Sequence, residues 1–305
     1  MDSIFTKAYA RKAFFGLVGL LSAIALIVRY GVLPFASDSV KVNPAVLAAN
    51  FLDSFVISLI VSTLIGAFIF FITPTIIRKS QIETVEPREL RDHFERSFQS
   101  ADFWWYKGGC GRYFRTRTLP KMAEWARAKS LSREVRVVVL DPLNDSLCDA
   151  HARFRQSTAS GKLSPPWTPQ KVKDEIYATI VAVLVTQSNE PMLRINLSLA
   201  AHYSAFRIDL SNNIAIVTKE DRQAPAIICQ PDNYYYKSYK DEITLTESQS
   251  RRVTQVNLEN LELKSLSPEQ VKSALSQAHL AGESMTTDDF QRIATICKEA
   301  KNPYE

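Results

Sequence analysis

The sequence predicts an α/β protein in three parts: a two-helix N-terminal membrane hairpin, a cytoplasmic mixed α/β domain and a short helical C-terminus. Three observations predict it. Two stretches near the N-terminus are strongly apolar, and one of them, Ser54–Ile77, has no charge over 24 residues. Beyond residue 80, strand-like and helix-like patterns alternate, then several strand patterns follow one another, as in a mixed sheet covered by helices. Two well-capped helical patterns close the chain. The matching division is 1–80 for the anchor, 81–265 for the α/β domain and 266–305 for the helical end.

The stretch Ser54–Ile77 reads SFVISLIVSTLIGAFIFFITPTII. At about 1.5 Å per residue it reaches roughly 36 Å, enough to cross a hydrocarbon core with some tilt. Ser54, Ser58, Ser62 and Gly66 recur every fourth residue and place small side chains along one helix face. Such a face lets another helix approach closely. It serves either assembly of several copies or packing against the chain's other apolar helix.

That other helix is expected at about 13–35. Ala13–Val28 is apolar or small throughout, and Arg29 and Tyr30 follow it at interface depth. A secretory signal peptide is the competing reading of a basic start and an apolar run. Pro34 and Phe35 stand where a cleavage site would need small residues, which favours a membrane span. Lys7, Arg11 and Lys12 precede the first span, and Arg78, Lys79, Arg88 and Arg91 follow the second. The loop between carries only Lys41, against Asp38 and Asp53. The excess of cations on cytoplasmic flanks then places both termini in the cytoplasm and makes the chain a multi-pass membrane protein.

In the soluble region, Glu86–Phe98 carries Leu90, Phe94 and Phe98 at helical spacing. Asp102–Lys107 (DFWWYK) reads as a strand, Thr118–Lys129 as a helix and Glu134–Leu140 (EVRVVVL) as a strand buried on both faces. Asp145–Gln156 and Gln170–Val185 read as helices. Leu193–Leu199, Phe206–Leu210, Asn213–Thr218 and Ala226–Cys229 read as strands. Ser267–Gln270 and Thr286–Asp289 open the two final helices with capping residues.

Composition excludes some chemistry. Residues 81–305 carry 30 basic and 29 acidic side chains, so this region is not a bulk nucleic-acid binder. Cys110, Cys148, Cys229 and Cys297 stand far apart, without zinc-site or disulfide spacing. No metal site, no cofactor motif, no Walker motif, no HExxH and no GxSxG is present. One local feature stands out. Residues 101–140 hold nine basic side chains against three acidic ones, interleaved with Trp104, Trp105, Tyr106, Tyr113 and Phe114. Within it lies Lys107–Gly108–Gly109–Cys110–Gly111–Arg112, followed by Arg115 and Arg117. Glycine-loop amides hold phosphate, and aromatic rings stack on bases, so Lys107, Gly108, Gly109, Gly111, Arg112, Arg115 and Arg117 are the candidate ligand or nucleic-acid contacts. The alternative is a tight turn with solvated arginines and core tryptophans.

Two resemblances follow. His202–Asp209 (HYSAFRID) resembles the HxKxxxxD segment of the phospholipase D superfamily in its first and last residues, with Ser204 in the lysine position. Over residues 102–245 this implies a phospholipase D-like fold without its catalytic motif, and hence no enzyme. The overall plan rests on the Ala13–Val28 and Ser54–Ile77 spans, Phe103–Arg117 (FWWYKGGCGRYFRTR) and the VVVLDP ending at Pro142. It resembles the two-transmembrane toxin effectors of bacterial antiviral defence, retron systems in particular. That resemblance implies a sensor domain at 81–265 and an effector that damages the inner membrane in abortive infection. The implied partners are inner-membrane lipid, a reverse transcriptase with its DNA–RNA hybrid product, and further copies of the chain when active. Two alternatives remain at this point: an effector gated by a cyclic nucleotide second messenger, and a membrane-anchored phosphodiesterase-like enzyme.

Overall fold

A computed structural model describes residues 44–72, 82–258, 260–282 and 284–299, with six positions between 16 and 28. It forms two compact units, Met1–Arg78 and Lys79–Glu305. The first expected span, about 13–35, lies almost wholly outside the described residues. So does the end of the second, beyond residue 72.

In the first unit, helix α1 runs Pro44–Ile72, starting ten residues before the expected span. Proline at the first helical position has no amide to leave unpaired, and the alanines after it favour the helix. Asn50–Ala67 within α1 is long and apolar enough to cross a membrane. Ser54 Oγ donates to Asn50 O at 2.9 Å and Thr63 Oγ1 to Leu59 O at 2.7 Å, so these hydroxyls are satisfied inside the helix. Leu52, Val56, Leu59 and Thr63 form its more covered stripe. Ser54, Ser58 and Ser62 are exposed, and a Cβ added at Gly66 would meet nothing within 4 Å.

The second unit is built on one mixed sheet of eight strands. They are β1 (Glu83–Val85), β2 (Phe103–Lys107), β3 (Arg133–Leu140), β4 (Leu193–Ala200), β5 (Phe206–Ser211), β6 (Ala215–Lys219), β7 (Ala226–Cys229) and β8 (Arg251–Arg252). Their order is β1-β7-β6-β5-β2-β3-β4-β8. Strands β2, β3 and β4 are parallel, and every other pairing is antiparallel. Parallel neighbours need crossovers. The first crossover is a π-helical turn, Phe114–Thr118, leading into α3 (Leu119–Lys129). The second comprises α4 (Asp145–Ser157), the short α5 (Ala159–Lys162) and α6 (Pro169–Asn189).

One sheet face carries the larger core. Leu90, Phe94 and Phe98 of α2 (Pro87–Ser100) pack there with Trp104, Tyr106, Met122 and the body of α6. The opposite face holds Trp105, Ile208, Leu210 and Val217 under Ile243, Tyr236 and Tyr239 of α7 (Tyr234–Ser248). As expected, Val137–Leu140 is buried throughout. Helix α6 is the central support. Thr168 caps it by accepting from the Lys171 amide at 3.1 Å, and its residues from Asp174 to Val185 are all buried.

Three sequence expectations change. Helix α7 and the edge strands β1 and β8 fall in segments with no assigned element. The C-terminal helices α8 (Pro268–Gln277) and α9 (Thr287–Lys298) belong to the same compact unit as the sheet. Arg292 Nε of α9 donates to Asp174 Oδ2 of α6 at 2.8 Å, and Cys297 Sγ lies 3.6 Å from Ala178 O. Helix α8 opens with the expected capping box of Ser267 and Gln270, and α9, starting where expected, has a second one between Thr286 and Asp289.

Candidate functional site

The glycine loop leaves β2 at Lys107 and turns beneath α6. The Gly108 amide donates to Val138 O at 3.0 Å and the Gly109 amide to Glu220 Oε1 at 2.9 Å. Gly109 O accepts from the Leu140 amide, and Cys110 O from Thr179 Oγ1 at 2.7 Å. Gly111 has φ +73°, and a Cβ there would lie 2.7 Å from Thr179 Cγ2, so only glycine fits without strain. The two amides that a phosphate nest would use are therefore committed to protein oxygens.

The basic side chains do not converge as one set. Lys107 is buried on the α7 side and pairs with Glu242. Arg117 pairs with Glu95 of α2 at 2.8 Å. Arg115 is buried, donating to Glu175 Oε2 at 2.7 Å, Glu175 O at 2.9 Å and Thr179 Oγ1 at 3.0 Å. Arg112 Nε meets the other oxygen of Glu175 at 3.0 Å, and its side chain is still 33 % exposed. Of the seven candidates, Arg112 is the cation that reaches both protein carboxylate and solvent while lying beside further cations.

Those neighbours come from three segments. The loop before α6 is pinned by Pro165 and Pro166 and presents Trp167, whose amide donates to Gln156 Oε1 at 3.0 Å. Over the Trp167 ring lie Arg155 Cζ at 4.5 Å, Lys171 Nζ at 4.8 Å and Arg112 Cζ at 5.6 Å. Cations favour an aromatic face, but three around one ring repel one another. The adjoining carboxylates are Glu175 and Glu220. Arg155 Nη1 donates to Glu220 Oε2 at 2.9 Å and also to Glu220 O. Counting Arg115, four cations face two carboxylates.

Behind Arg155, one helical turn back on α4, lies His151. It is fully buried, and neither ring nitrogen has a hydrogen-bond partner. The nearest carboxylate oxygen, Glu220 Oε2, stands 3.7 Å from Nε2. Tyr203 packs edge-on against this imidazole at 5.3 Å, with its hydroxyl buried and unpartnered; Arg155 Nε is likewise unpartnered. A Cβ on Gly109 would lie 2.5 Å from His151 Cε1, so that glycine makes room for the ring.

Charge states follow from this packing. Burial lowers the His151 pKa, Glu220 opposes that, and Arg155 reinforces it, so the imidazole is neutral near pH 7. Burial pushes Glu220 up, but His151, Arg155 and the Gly109 amide outweigh it and hold the carboxylate below its ordinary value. Burial lowers Lys171, Arg112 and Arg155 lower it further, and Glu175 acts in the other direction. The Tyr203 hydroxyl is pushed up to about 12, chiefly by burial.

The HYSAFRID segment has a different character. His202 is exposed in the turn before β5. Asp209 is fully buried within β5, accepting from Arg207 Nε at 2.6 Å and Trp104 Nε1 at 3.1 Å. The Arg207 guanidinium lies over Tyr113, Phe94 and Tyr106 at 4.8, 5.3 and 5.6 Å. Asp209 thus anchors a core cation. No group of three or more His, Cys, Asp or Glu fit to hold a metal ion occurs among the described residues.

The sequence candidates omit His151, Arg155, Trp167, Lys171 and Glu220. A partial signal exists, since His151/Arg155 and Lys171/Glu175 are i, i+4 pairs on single helix faces. Their meeting depends on contacts far apart in the chain. In comparisons with known proteins, no family model, no curated protein and no solved structure matches this chain, so its functional reading rests on these residues.

Proposed function

We propose that this protein is a membrane-embedded effector of a bacterial antiphage (retron) defence system, whose α/β unit senses a disturbance and whose apolar helices then damage the inner membrane. The observation that carries the membrane part is the surface of α1. Leu47, Phe51, Phe55, Ile57, Ile60, Val61, Leu64 and Ile65 are all exposed, on several sides of the helix. Covering each such side chain is worth about 1.5–3 kcal/mol, so in water this helix would be costly, and lipid is the solvent that suits it. The defence setting comes from the plan of the chain: a basic start, close apolar segments and an α/β unit. Within this reading both termini face the cytoplasm, and a reverse transcriptase with its DNA–RNA hybrid product is the partner. The face formed by the exposed Ser54, Ser58 and Ser62 with the half-buried Gly66 is the seam through which copies assemble.

The test is membrane potential, read with a potential-sensitive dye, in bacteria carrying the chain in its native operon during phage infection. The expected result is depolarisation before lysis, lost when Ser62→Leu and Gly66→Leu are combined in a protein that still inserts. Phage restriction by the operon with an undisturbed potential would overturn the proposal.

A further inference from the structure

The cluster on Trp167 carries more positive charge than its protein surroundings balance. Arg115 and Arg112 divide the two oxygens of Glu175 between them. Arg155 takes Glu220. Lys171 makes no ion pair among the described residues; its Nζ lies 4.8 Å from the ring centre, and it is influenced by the Arg112 and Arg155 guanidiniums and, in the opposite direction, by Glu175. The surplus is two positive charges in a half-buried position, where each is more costly than in open water. A second observation lies directly behind it: a fully buried histidine with both nitrogens unpartnered, the unpartnered Nε of Arg155 and the buried Tyr203 hydroxyl. Such polar groups rarely sit together without something to bond.

We propose that Arg112, Arg155 and Lys171, gathered on the Trp167 ring and backed by His151 and Tyr203, bind the phosphoryl group of a small soluble phosphate monoester. The charge matches: a monoester carries about −1.5 to −2 near neutral pH, the complement of the surplus, whereas a carboxylate carries only one charge. The chemistry matches as well. Two guanidiniums offer planar donor pairs to phosphate oxygens, and an ammonium adds a point charge. Entry is from the Arg112 side, which remains a third exposed. The neutral imidazole adds a hydrogen-bond donor without adding charge. The proposal concerns the α/β unit and is independent of how α1 acts on lipid.

The experiment follows thermal unfolding of the full chain in detergent with inorganic phosphate or adenosine 5′-monophosphate, against chloride at the same ionic strength. Ligand bound to the folded state raises the midpoint. Both probes are expected to raise it, and Lys171→Gln is expected to weaken the effect about tenfold or more. Because Lys171 makes no described ion pair, Lys171→Gln is expected to fold like the parent, unlike substitutions of Arg115 or Glu175. A parent midpoint indifferent to both probes overturns the proposal, and so does an undiminished shift in folded Lys171→Gln. A third arm uses vesicles containing phosphatidic acid. Binding to those vesicles without any response to the soluble probes places the phosphoryl group on a lipid and overturns the soluble ligand.

Discussion

Helices α1 and α6 are both long and largely apolar, yet they meet their surroundings in opposite ways. Helix α6 is enclosed by protein on nearly every side, from Val172 to Val185. It nevertheless carries Asp174, Glu175 and Thr179 in buried positions, each bonded to a specific partner: Arg292, Arg115 with Arg112, and the Cys110 carbonyl. Helix α1 leaves most of its large side chains exposed and has no charge from Ser54 onward. A protein interior supplies partners at fixed points, so charge can be placed there. Lipid, the surroundings proposed above for α1, would supply none, and a helix placed there must do without charge.

The strongest way to break this comparison is to remove the charge from α6. Glu175→Ala strands Arg115 in the interior and frees Arg112. We expect a loss of about 3–5 kcal/mol in denaturant unfolding of the full chain in detergent. A loss below about 1 kcal/mol would mean that water reaches Arg115 freely and that α6 is not enclosed as described.

The converse change adds charge to α1. Val61→Arg sits well inside the helix, at an exposed position. A cation near the middle of a span costs about 2.5–3.5 kcal/mol on insertion scales. The inserted fraction, measured by alkaline extraction of membranes, is expected to fall severalfold. Unchanged insertion would remove the bilayer from the comparison.

The smallest expected effect sharpens the interior side. His151 is held below its ordinary pKa of 6.5 by burial. A lowered value means that the unfolded chain takes up the proton first as the pH falls. The contribution of neutral His151 is therefore complete above about pH 6.5 and declines below it. Unfolding midpoints should drop as the pH falls below about 6.5, and His151→Gln should flatten that drop. Glu220, also lowered, acts at more acidic pH and leaves this window alone. An equal slope in both proteins would show that another group titrates there.

The elements with a clear period are legible in the sequence. Leu90, Phe94 and Phe98 announce α2, and EVRVVVL announces the central strand β3. The final helices are legible because their caps are local, with Ser267 bonding Gln270 and Thr286 bonding Asp289. Helix α7 is hidden by its composition. YYYKSYKDEITLTES is rich in aromatic and β-branched residues of modest helix propensity, and packing on Trp105 and Ile208 decides its state. Strands of two or three residues such as β8 and β1 have no period at all; their partners make them. The site divides in the same manner. Arg112 stands out as a basic residue beside glycines, but its Glu175 partner is 63 positions away. The pairing of Gly109 with Glu220 spans 111. Position in the chain says nothing about such meetings until α6 and β6 are packed.

The short strands at the two ends of the sheet also govern how the molecule behaves in a crowded cell. An open sheet edge invites strands from other chains and is a common start for aggregation. Here β1 closes one edge with three residues and β8 closes the other with two. Neither is long enough to template a fibre. Their exposed residues differ in sign, with Glu83 on one side and Arg251 and Arg252 on the other. Arg251 is paired with Asp141 at 3.0 Å, and a second copy brought to either edge finds too few backbone groups to bond. Growth by strand addition is thereby discouraged at both edges.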